Sequence, residues 1–273
     1  MAQLGLEGMP RRLFSCTPTR LTTWLDCPRR YRFTYLDRPT PAKGPQWAHL
    51  SLGTSVHNAL RAWWSQPEDQ RDADSMADLL SAHWQGGGYR DDRQETQLRA
   101  VAARWLTDYL ATQDPTDEPI GLERTVATRT DRLALSGRVD RIDERVGEDG
   151  VTEAVVVDYK TGRKPSTVDE ARSSLALAVY ALATERTLRR RCRQVELHHV
   201  PTGDVAVWRH DDETLQRHLR RATEIAAEAE AADEFVPQPG AQCGWCDYRA
   251  HCPEGQAAAT QRDSWDGLPD ITT

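Results

Sequence analysis

Three consecutive segments with the composition of β-strands constrain the fold of this chain more than any other feature. They are ERTVATRT from residue 123, LALSGRVDRIDERV from residue 133 and EAVVVDYKTG from residue 153. Each is rich in Val, Ile, Leu or Thr and is bounded by Gly, Asp or Glu, which is typical of strands joined by turns. Helical periodicity follows over residues 168–190, and QVELHHVPTGDVAVWRH from residue 194 predicts a hairpin. This order of elements predicts a mixed α/β core.

The segments on either side of this core have helical periodicity. Before it, the pattern predicts a helix over 17–36 that Pro28 interrupts, a helix through SLGTSVHNALRAWW from residue 51, and helices over 72–84 and 94–110. After it, a final helix is predicted over 214–232. We therefore predict one domain over 1–255, with a helical part over 15–115, a sheet core over 118–210 and a cysteine-bearing segment over 235–255. Residues 256–273 are polar and predict a flexible tail.

The composition excludes several classes of protein. The chain has 273 residues, of which 38% are apolar and 28% charged, as is ordinary for a globular enzyme. No apolar run approaches the roughly 20 residues that span a bilayer, and the first residues, MAQLGLEGMPRRLF, lack the apolar stretch of a signal peptide. We expect a cytoplasmic protein with no membrane partner.

The net charge of −7 is distributed unevenly along the chain. From Asp211 onward there are 13 acidic and 5 basic residues, so the first 210 residues carry a net charge of +1. An acidic average argues against a nucleic-acid partner only when the charges are evenly spread. Basic surface therefore remains available in the first two thirds of the chain.

Two acids and a lysine lie at the ends of adjacent predicted strands. Asp140 follows GRV, and Asp158 and Lys160 follow VVV with one residue between them. Side chains at positions i and i+2 of a strand point to the same face, so Asp158 and Lys160 should lie side by side. With Asp140 on the same face of the neighbouring strand, the group would suit Mg²⁺ or Mn²⁺, which prefer carboxylate oxygens. The alternative is a solvated turn, which the apolar residues before Asp158 make less favourable.

These strands resemble the active-site signature of the PD-(D/E)XK nuclease superfamily. The resemblance is to the RecB-like exonuclease branch, and it extends to LGTSVH from residue 52 and to TRLTTWLDCPRRY from residue 19. It implies a restriction-endonuclease-like mixed sheet flanked by helices. Carried over position by position, it implies that His57, Asp140 and Asp158 bind a divalent metal, that Lys160 is catalytic and that Glu123 is a supporting acid. Family members place a Gln four residues before the position of Tyr180, a further active-site candidate, but this chain has Ala176 there.

Three of the six cysteines are closely spaced near the end of the chain. Cys243, Cys246 and Cys252 have the spacing C-x₂-C-x₅-C, and Cys27 is the candidate for a fourth ligand. Four thiolates suit either Zn²⁺ or an iron–sulfur cluster, and spacing alone does not choose between them. The resemblance implies a [4Fe–4S] cluster that ties the two ends of the chain together. Cys16 and Cys192 fall outside the pattern and are interpreted as buried or free thiols.

Two basic stretches are candidates for contact with a phosphate backbone. Arg189, Arg190 and Arg191 end the predicted helix after the strands, and Arg29 and Arg30 flank Tyr31. Arginines near a hydrolytic site can bind phosphates without reading sequence, and aromatic rings can stack on bases of single strands. The alternative for each stretch is a solvated helix end.

The preferred interpretation is a metal-dependent deoxyribonuclease, an exonuclease that acts on single-stranded DNA or DNA ends in repair, recombination or defence. A helicase or repair complex is a candidate partner. Ala176 keeps open an alternative, a DNA-binding subunit with weak or no catalysis that retains the fold and the cluster. A third possibility is a zinc-held regulatory protein with acids that have no catalytic role.

Overall fold

A mixed six-stranded sheet forms the centre of the molecule, and its helices pack against both faces. The computed structural model describes residues 13–147 and 150–269. The strands are β1 (Phe14–Cys16), β2 (Gly121–Arg129), β3 (Leu133–Val146), β4 (Thr152–Lys160), β5 (Cys192–His199) and β6 (Asp204–Arg209). The helices are α1 (Pro18–Asp26), α2 (Pro28–Tyr35), α3 (Ala48–Trp64), α4 (Ala73–Ala82), α5 (Asp92–Leu110), α6 (Val168–Ser173), α7 (Leu175–Leu188), α8 (Asp212–Ala231) and α9 (Pro253–Ala258). Short 3₁₀ helices occupy Glu68–Gln70, Ala241–Trp245 and Arg249–His251. The predicted mixed α/β core is confirmed.

The long strand β3 organises the sheet. It pairs antiparallel with β2 and, through its second half, antiparallel with β4. β4 then pairs parallel with β5, and β5 and β6 form the predicted hairpin. This register places Lys160, the last residue of β4, beside His199 at the end of β5.

The apolar run before Asp158 forms a buried central strand, as predicted. Ala154, Val155, Val156 and Val157 are each at most 2% exposed. Val155 and Val157 join a core cluster with helices α3, α4 and α5, whereas Ala154 and Val156 join a second cluster with α7 on the other face. The alternation of side chains along a strand is what lets β4 serve both layers. A third cluster lies between α1, α8 and β3.

Local signals set the boundaries of the N-terminal helices. The side chain of Thr17 accepts a hydrogen bond from the backbone N–H of Arg20 at 3.2 Å and so caps α1. The predicted interruption falls at Cys27, because Pro28 begins α2 at a position where a helix tolerates proline. The helix predicted over 168–190 is in fact two helices, since the side chain of Ser174 caps a new one.

Two parts of the fold differ from expectation. The strand β1 pairs parallel with the start of β3, within a region where only helices were predicted. The segment predicted as a flexible tail instead packs against the protein as far as residue 269. Helix α9 continues to Ala258, and Leu268 is buried in the core at 4% exposure. Trp265 packs against the same core cluster. Residues 270–273 lie outside the described residues.

None of the helices in the described ranges combines the length and the apolar character needed to cross a membrane.

Candidate active site and cysteine pocket

An open cleft of about 680 Å³ lies between α3, the start of β2, the middle of β3 and the end of β4. Asp140 was expected at the end of its strand, but β3 continues to Val146. The lining of the cleft includes every candidate of the predicted active site except Asp158, which lies beneath Lys160: His57, Glu123, Asp140, Lys160 and Tyr180. Helix α3 comes close to the sheet because Gly53 has no side chain. A Cβ at this position would lie 3.1 Å from Oγ1 of Thr161, just after β4.

His57 and Asp140 face each other across the cleft floor. Nδ1 of His57 lies 3.4 Å from Oδ2 of Asp140, and the backbone N–H of Tyr159 donates to the same oxygen at 2.9 Å. The ring of Tyr159 packs edge-on against the imidazole, with centroids 5.8 Å apart. These contacts fix both side chains from β4, so neither depends on an exposed loop for its position.

The charges around this pair shift both pKa values. Burial works to lower the pKa of His57, but the hydrogen bond and charge of Asp140, with smaller contributions from Asp158 and Glu123, raise it. Burial works to raise the pKa of Asp140, but His57, the backbone N–H of Tyr159 and Lys160 lower it. The carboxylate of Asp140 is therefore held in its charged form, the form that binds a cation.

Glu123 joins His57 and Asp140 in one group. One ligand atom from each residue lies within 4.8 Å of the others. The backbone of Glu123 has a φ of 44°, in the left-handed region that non-glycine residues rarely adopt, and such strain is concentrated at functional sites. Burial and the charge of Asp140 raise the pKa of Glu123, although Nε of Arg138 lies 2.7 Å from its carboxylate.

Asp158 and Lys160 lie side by side, as the alternation of β4 predicted. The ammonium group of Lys160 forms an ion pair with Oδ2 of Asp158. Burial raises the pKa of Asp158, and Lys160 opposes that shift. The side chain of Lys160 is 43% exposed in the cleft, whereas that of Asp158 is 19% exposed. The predicted ligand set and the observed group thus share His57 and Asp140, but the third member of the observed group is Glu123.

Tyr180 reaches the cleft from α7 on the opposite side of the sheet edge. A Cβ at Gly137 of β3 would lie only 2.4 Å from Cε1 of Tyr180, so the absence of a side chain there makes room for the ring. Burial, with the charges of Asp158, Asp140 and Glu123, raises the pKa of the Tyr180 phenol to about 12. Tyr180 is therefore a neutral hydrogen-bond donor at ordinary pH. Ala176, one turn earlier on α7, offers no polar group.

The donor set fits a divalent cation of the Mg²⁺ or Mn²⁺ type. His57, Glu123 and Asp140 present one imidazole nitrogen and two carboxylates at a cleft that is open to a further ligand. Carboxylate oxygens suit Mg²⁺ and Mn²⁺, and Mg²⁺ sites typically combine one or two carboxylates with substrate phosphate and water.

Sequence reasoning missed several polar residues of the cleft. Arg138, Asn58 and Thr161 all line it. Arg138 could have been found, because it precedes Asp140 by two residues on the same strand and so shares its face. Nothing in the local sequence indicates that Asn58 faces the same space as its neighbour His57, since adjacent positions of a helix point about 100° apart.

The four predicted cysteine ligands line a single small pocket. Cys27 reaches it from the turn between α1 and α2, and Cys243, Cys246 and Cys252 reach it from the two 3₁₀ helices and the start of α9. Backbone N–H groups point at three of the sulfurs: Gln238 to Cys27 at 3.5 Å, Gly240 to Cys243 at 3.4 Å and Gly255 to Cys252 at 3.3 Å. Burial raises the pKa of the Cys252 thiol, and the N–H of Gly255 opposes that shift.

The predicted DNA contacts near the N-terminus are largely engaged within the protein. Tyr31 is 1% exposed, and its hydroxyl accepts a hydrogen bond from Nε of Arg20 at 3.0 Å. The interpretation of Tyr31 as a stacking surface is therefore wrong for this conformation, because its ring belongs to the interior. Arg29 contacts Glu254 at 3.6 Å and Arg30 contacts Asp26 at 3.9 Å.

The second basic stretch lies at the far end of the sheet from the cleft. Arg190 forms an ion pair with Glu144, and Arg191 with Glu153 at 3.2 Å. Glu153 is seven residues from Lys160 along β4, which corresponds to about 23 Å. Arg189 is exposed at the end of α7. A role of these arginines in binding DNA stays a prediction.

The comparisons with known proteins each cover most of this chain. The model of the PD-(D/E)XK nuclease superfamily matches residues 15–253. A protein solved as SSO0001 is 14% identical with a TM-score of 0.39, and the match covers 90% of this chain and 87% of that chain. A candidate exonuclease from Eubacterium rectale is 12% identical with a TM-score of 0.45, and the match covers 86% of each chain. No curated protein matches this chain. The residues matched by the family include all six candidates of the predicted active site and all four cysteines of the pocket.

Proposed function

The chain belongs to the PD-(D/E)XK nuclease superfamily, and from that premise we propose that it is a metal-dependent deoxyribonuclease that hydrolyses phosphodiester bonds. One observation carries the proposal. His57, Glu123 and Asp140 form a group of cation ligands, and Lys160 extends into the same cleft from the neighbouring strand. A general-purpose acidic patch would not combine such a group with a positioned ammonium.

The chain's own residues divide the catalytic work. His57, Glu123 and Asp140 would hold the cation, which when bound stabilises negative charge on phosphate and lowers the pKa of a water. Tyr159 holds Asp140 through its backbone N–H, and Asp158 fixes the position of the Lys160 ammonium. Lys160 then donates hydrogen bonds to the attacking water or to the phosphate oxygens as charge develops there. Tyr180, as a neutral phenol, donates a hydrogen bond to substrate at the opposite wall.

The proposed substrate is single-stranded DNA or DNA ends, bound without sequence specificity. The cleft carries polar and charged side chains, among them Asn58, Arg138 and Lys160, which can bind a phosphate backbone without reading its sequence. We place this activity in the cytoplasm, in repair, recombination or defence, with a helicase or repair complex as the candidate partner.

The cysteine pocket is proposed to hold a [4Fe–4S] cluster. The support is the convergence of four free thiols from the two ends of the chain, together with the N–H groups directed at three sulfurs. Burial raises the pKa of the Cys246 thiol, so binding of a metal centre would displace a proton there. We infer a structural role, because the pocket joins α1 and α2 to the C-terminal segment.

The cluster proposal is tested by iron and sulfide analysis of anaerobically purified protein. We expect about four iron and four sulfide ions per chain, as a cluster of the [4Fe–4S] type held by four thiolates requires. Cys246→Ser should lose both, whereas Cys192→Ser, at a buried cysteine outside the pocket, should keep both. One zinc ion per chain without sulfide would replace this proposal with a zinc site.

The second candidate function is a DNA-binding subunit with little or no catalysis. Ala176 favours it, because the family's glutamine is missing on the helix that carries Tyr180. This candidate predicts binding of DNA and metal without turnover.

The nuclease proposal is tested by degradation of end-labelled DNA with Mg²⁺ or Mn²⁺. Single-stranded and duplex substrates are compared for the wild type, Lys160→Ala, and Lys164→Ala as a matched control at an exposed lysine outside the cleft. We expect cleavage by the wild type and the control but not by Lys160→Ala. Binding without cleavage in all three proteins would favour the DNA-binding subunit instead.

A further inference from the structure

The C-terminal residues 264–269, which we call the strap, connect two walls of the cleft. At the start of α3, the backbone N–H of Ala48 donates to the carbonyl of Ser264 at 2.9 Å. Just after β4, Nε of Arg163 donates to the carbonyl of Leu268 at 2.7 Å. Leu268 is 4% exposed, in the core cluster formed by α3, α4 and α5. The strap is therefore anchored at both of its ends and by its own apolar side chain.

Gly267 allows the strap to lie close to the rings of Trp245 and His49. Its φ is 86°, and a Cβ there would lie 3.0 Å from the ring of Trp245 and 3.2 Å from Nδ1 of His49. The rings of Trp245 and His49 are 5.1 Å apart, and Trp245 lies equally close to Trp47, directly before α3. The strap thus lies against the segment that carries the cysteines and against the beginning of α3.

The strap also forms part of the cleft surface. Gly267 and Pro269 line the cleft together with His49 and Thr161. Because the strap reaches from the first turn of α3 to the segment after β4, it crosses the cleft at the end that His49 marks. His49 lies eight residues before His57 on α3, so this end of the cleft is about 12 Å from His57.

We propose that the strap closes this end of the cleft and restricts the substrate to DNA strands that enter by a free end. The inference rests on the proposed nuclease function and names its substrate class. A strand that passes the metal ligands meets the strap after about 12 Å, which holds at most about four stacked nucleotides at 3.4 Å each. The enzyme therefore releases short oligonucleotides, and a strand without an end does not reach the metal ligands.

The test compares linear and covalently closed circular single-stranded DNA of the same sequence. Gly267→Ala places a Cβ against Trp245 in a backbone conformation that alanine rarely adopts, and Arg163→Ala removes the hydrogen bond to Leu268. Gly203→Ala is the matched control, since Gly203 has a φ of 73° with open space around it, in the turn between β5 and β6. Thermal unfolding of each variant establishes that it is folded.

We expect the wild type and Gly203→Ala to degrade linear DNA to products of at most about four nucleotides and to leave circles intact. In Gly267→Ala and Arg163→Ala, cleavage of circles should rise by about tenfold or more, and the products should lengthen. If Gly267→Ala does not fold, Arg163→Ala carries the test.

Two results would overturn the proposal while the nuclease function stands. In the first, the wild type cuts circular DNA as fast as linear DNA. In the second, both strap variants are folded but have the wild-type rate of circle cleavage and the wild-type product lengths. Cleavage of neither DNA by the wild type overturns the nuclease function and this inference together.

Discussion

The two ends of strand β4 carry clusters of charged residues that are organised in opposite ways. At the Lys160 end, His57, Glu123 and Asp140 line an open cleft, and Asp158 lies just outside it. Lys160 pairs with Asp158 and Arg138 with Glu123. From the other end of β4 to its middle runs a network of buried acids and their arginines, of which only Arg141 is itself buried. We call it the arginine–glutamate network: Glu153, Glu196, Asp143, Arg141, Arg145, Arg191 and Arg209.

Each acid of the network has at least two partners, and the pKa of Glu196 shows the consequence. Glu153 contacts Arg191 at 3.2 Å and Arg209 at 2.7 Å. Burial works to raise the pKa of Glu196, but His198 and Arg145 lower it to about 2. In the cleft, by contrast, burial and neighbouring carboxylates raise the pKa values of Glu123 and Asp158. The comparison teaches that acids paired with arginines stabilise the fold. In the cleft the carboxylates raise one another's pKa values despite Lys160 and Arg138, so an added cation would stabilise their charged forms.

The largest expected effect is on catalysis at the cleft end. Lys160→Ala should lower the rate of DNA cleavage by about a thousandfold, because no other ammonium takes its position beside the developing charge. The free energy of unfolding should change by less than about 1 kcal/mol, since the side chain is partly exposed. Cleavage of labelled DNA and urea unfolding measure the two quantities separately. Loss of stability in parallel with activity would contradict the distinction between the two ends.

The next effect is on stability at the other end. Glu196→Gln removes a carboxylate whose side chain is 3% exposed and leaves Arg145 and His198 without it. A pKa lowered from 4.5 to about 2 corresponds to a contribution of about 3 kcal/mol to folding. Urea unfolding at neutral pH should show a loss of this order. Specific activity of the folded variant should stay within about twofold of the wild type. Glu196 pairs with Val157, about 10 Å along the strand from Lys160, and its partners Arg145 and His198 do not line the cleft.

The pH dependence of that contribution follows from the lowered pKa. The stability due to Glu196 is fully present above its unfolded-state pKa of 4.5 and is lost as pH falls toward about 2. The wild type should therefore lose more stability than Glu196→Gln between these pH values. Parallel stability curves for the two proteins would show that Glu196 keeps an ordinary pKa in the folded state.

A third, smaller effect is stabilisation by a divalent metal. Mn²⁺ at about 100 times its dissociation constant should raise the free energy of unfolding of the wild type by about 2.7 kcal/mol. Asp140→Asn should abolish that increase, because it removes the carboxylate that His57 and the Tyr159 backbone hold in place. Glu196→Gln should keep the increase although its starting stability is lower. Equal stabilisation of Asp140→Asn and the wild type would place the cation elsewhere.

The organisation of the cleft end of β4 could be predicted from the sequence. The alternation of β4 predicted that Asp158 and Lys160 share a face, and the apolar residues before them predicted a central strand. Both follow from local periodicity, which a single sequence records. The arginine–glutamate network was not predicted, because its members come from β3 to β6 and only the sheet register brings them together.

Other features depend on tertiary contacts that leave no local signal. The three residues of β1 are too few to show a period, and their pairing with β3 defines them as a strand. Polar composition predicted a flexible tail, but Leu268 packs into the core cluster of α3, α4 and α5. The sequence of the tail does not reveal that contact. Tyr31 was assigned to DNA because it lies between arginines, whereas its ring completes an aromatic group with Trp24 and Tyr35.

The smallest expected effect concerns the arginines that the sequence assigned to DNA at the far end. Each phosphate contact that is lost should reduce the slope of log affinity against log salt by about one. Arg190 and Arg191 already bind Glu144 and Glu153, and exchanging those partners for phosphate would take one arginine from each carboxylate. We therefore expect Arg190→Ala and Arg191→Ala to change the affinity for a 30-nucleotide strand by less than about twofold, with an unchanged salt slope. Fluorescence anisotropy across a salt series, in the Lys160→Ala background to prevent cleavage, measures both. A slope reduced by about one would restore the sequence-based interpretation and extend the DNA path along the whole of β4.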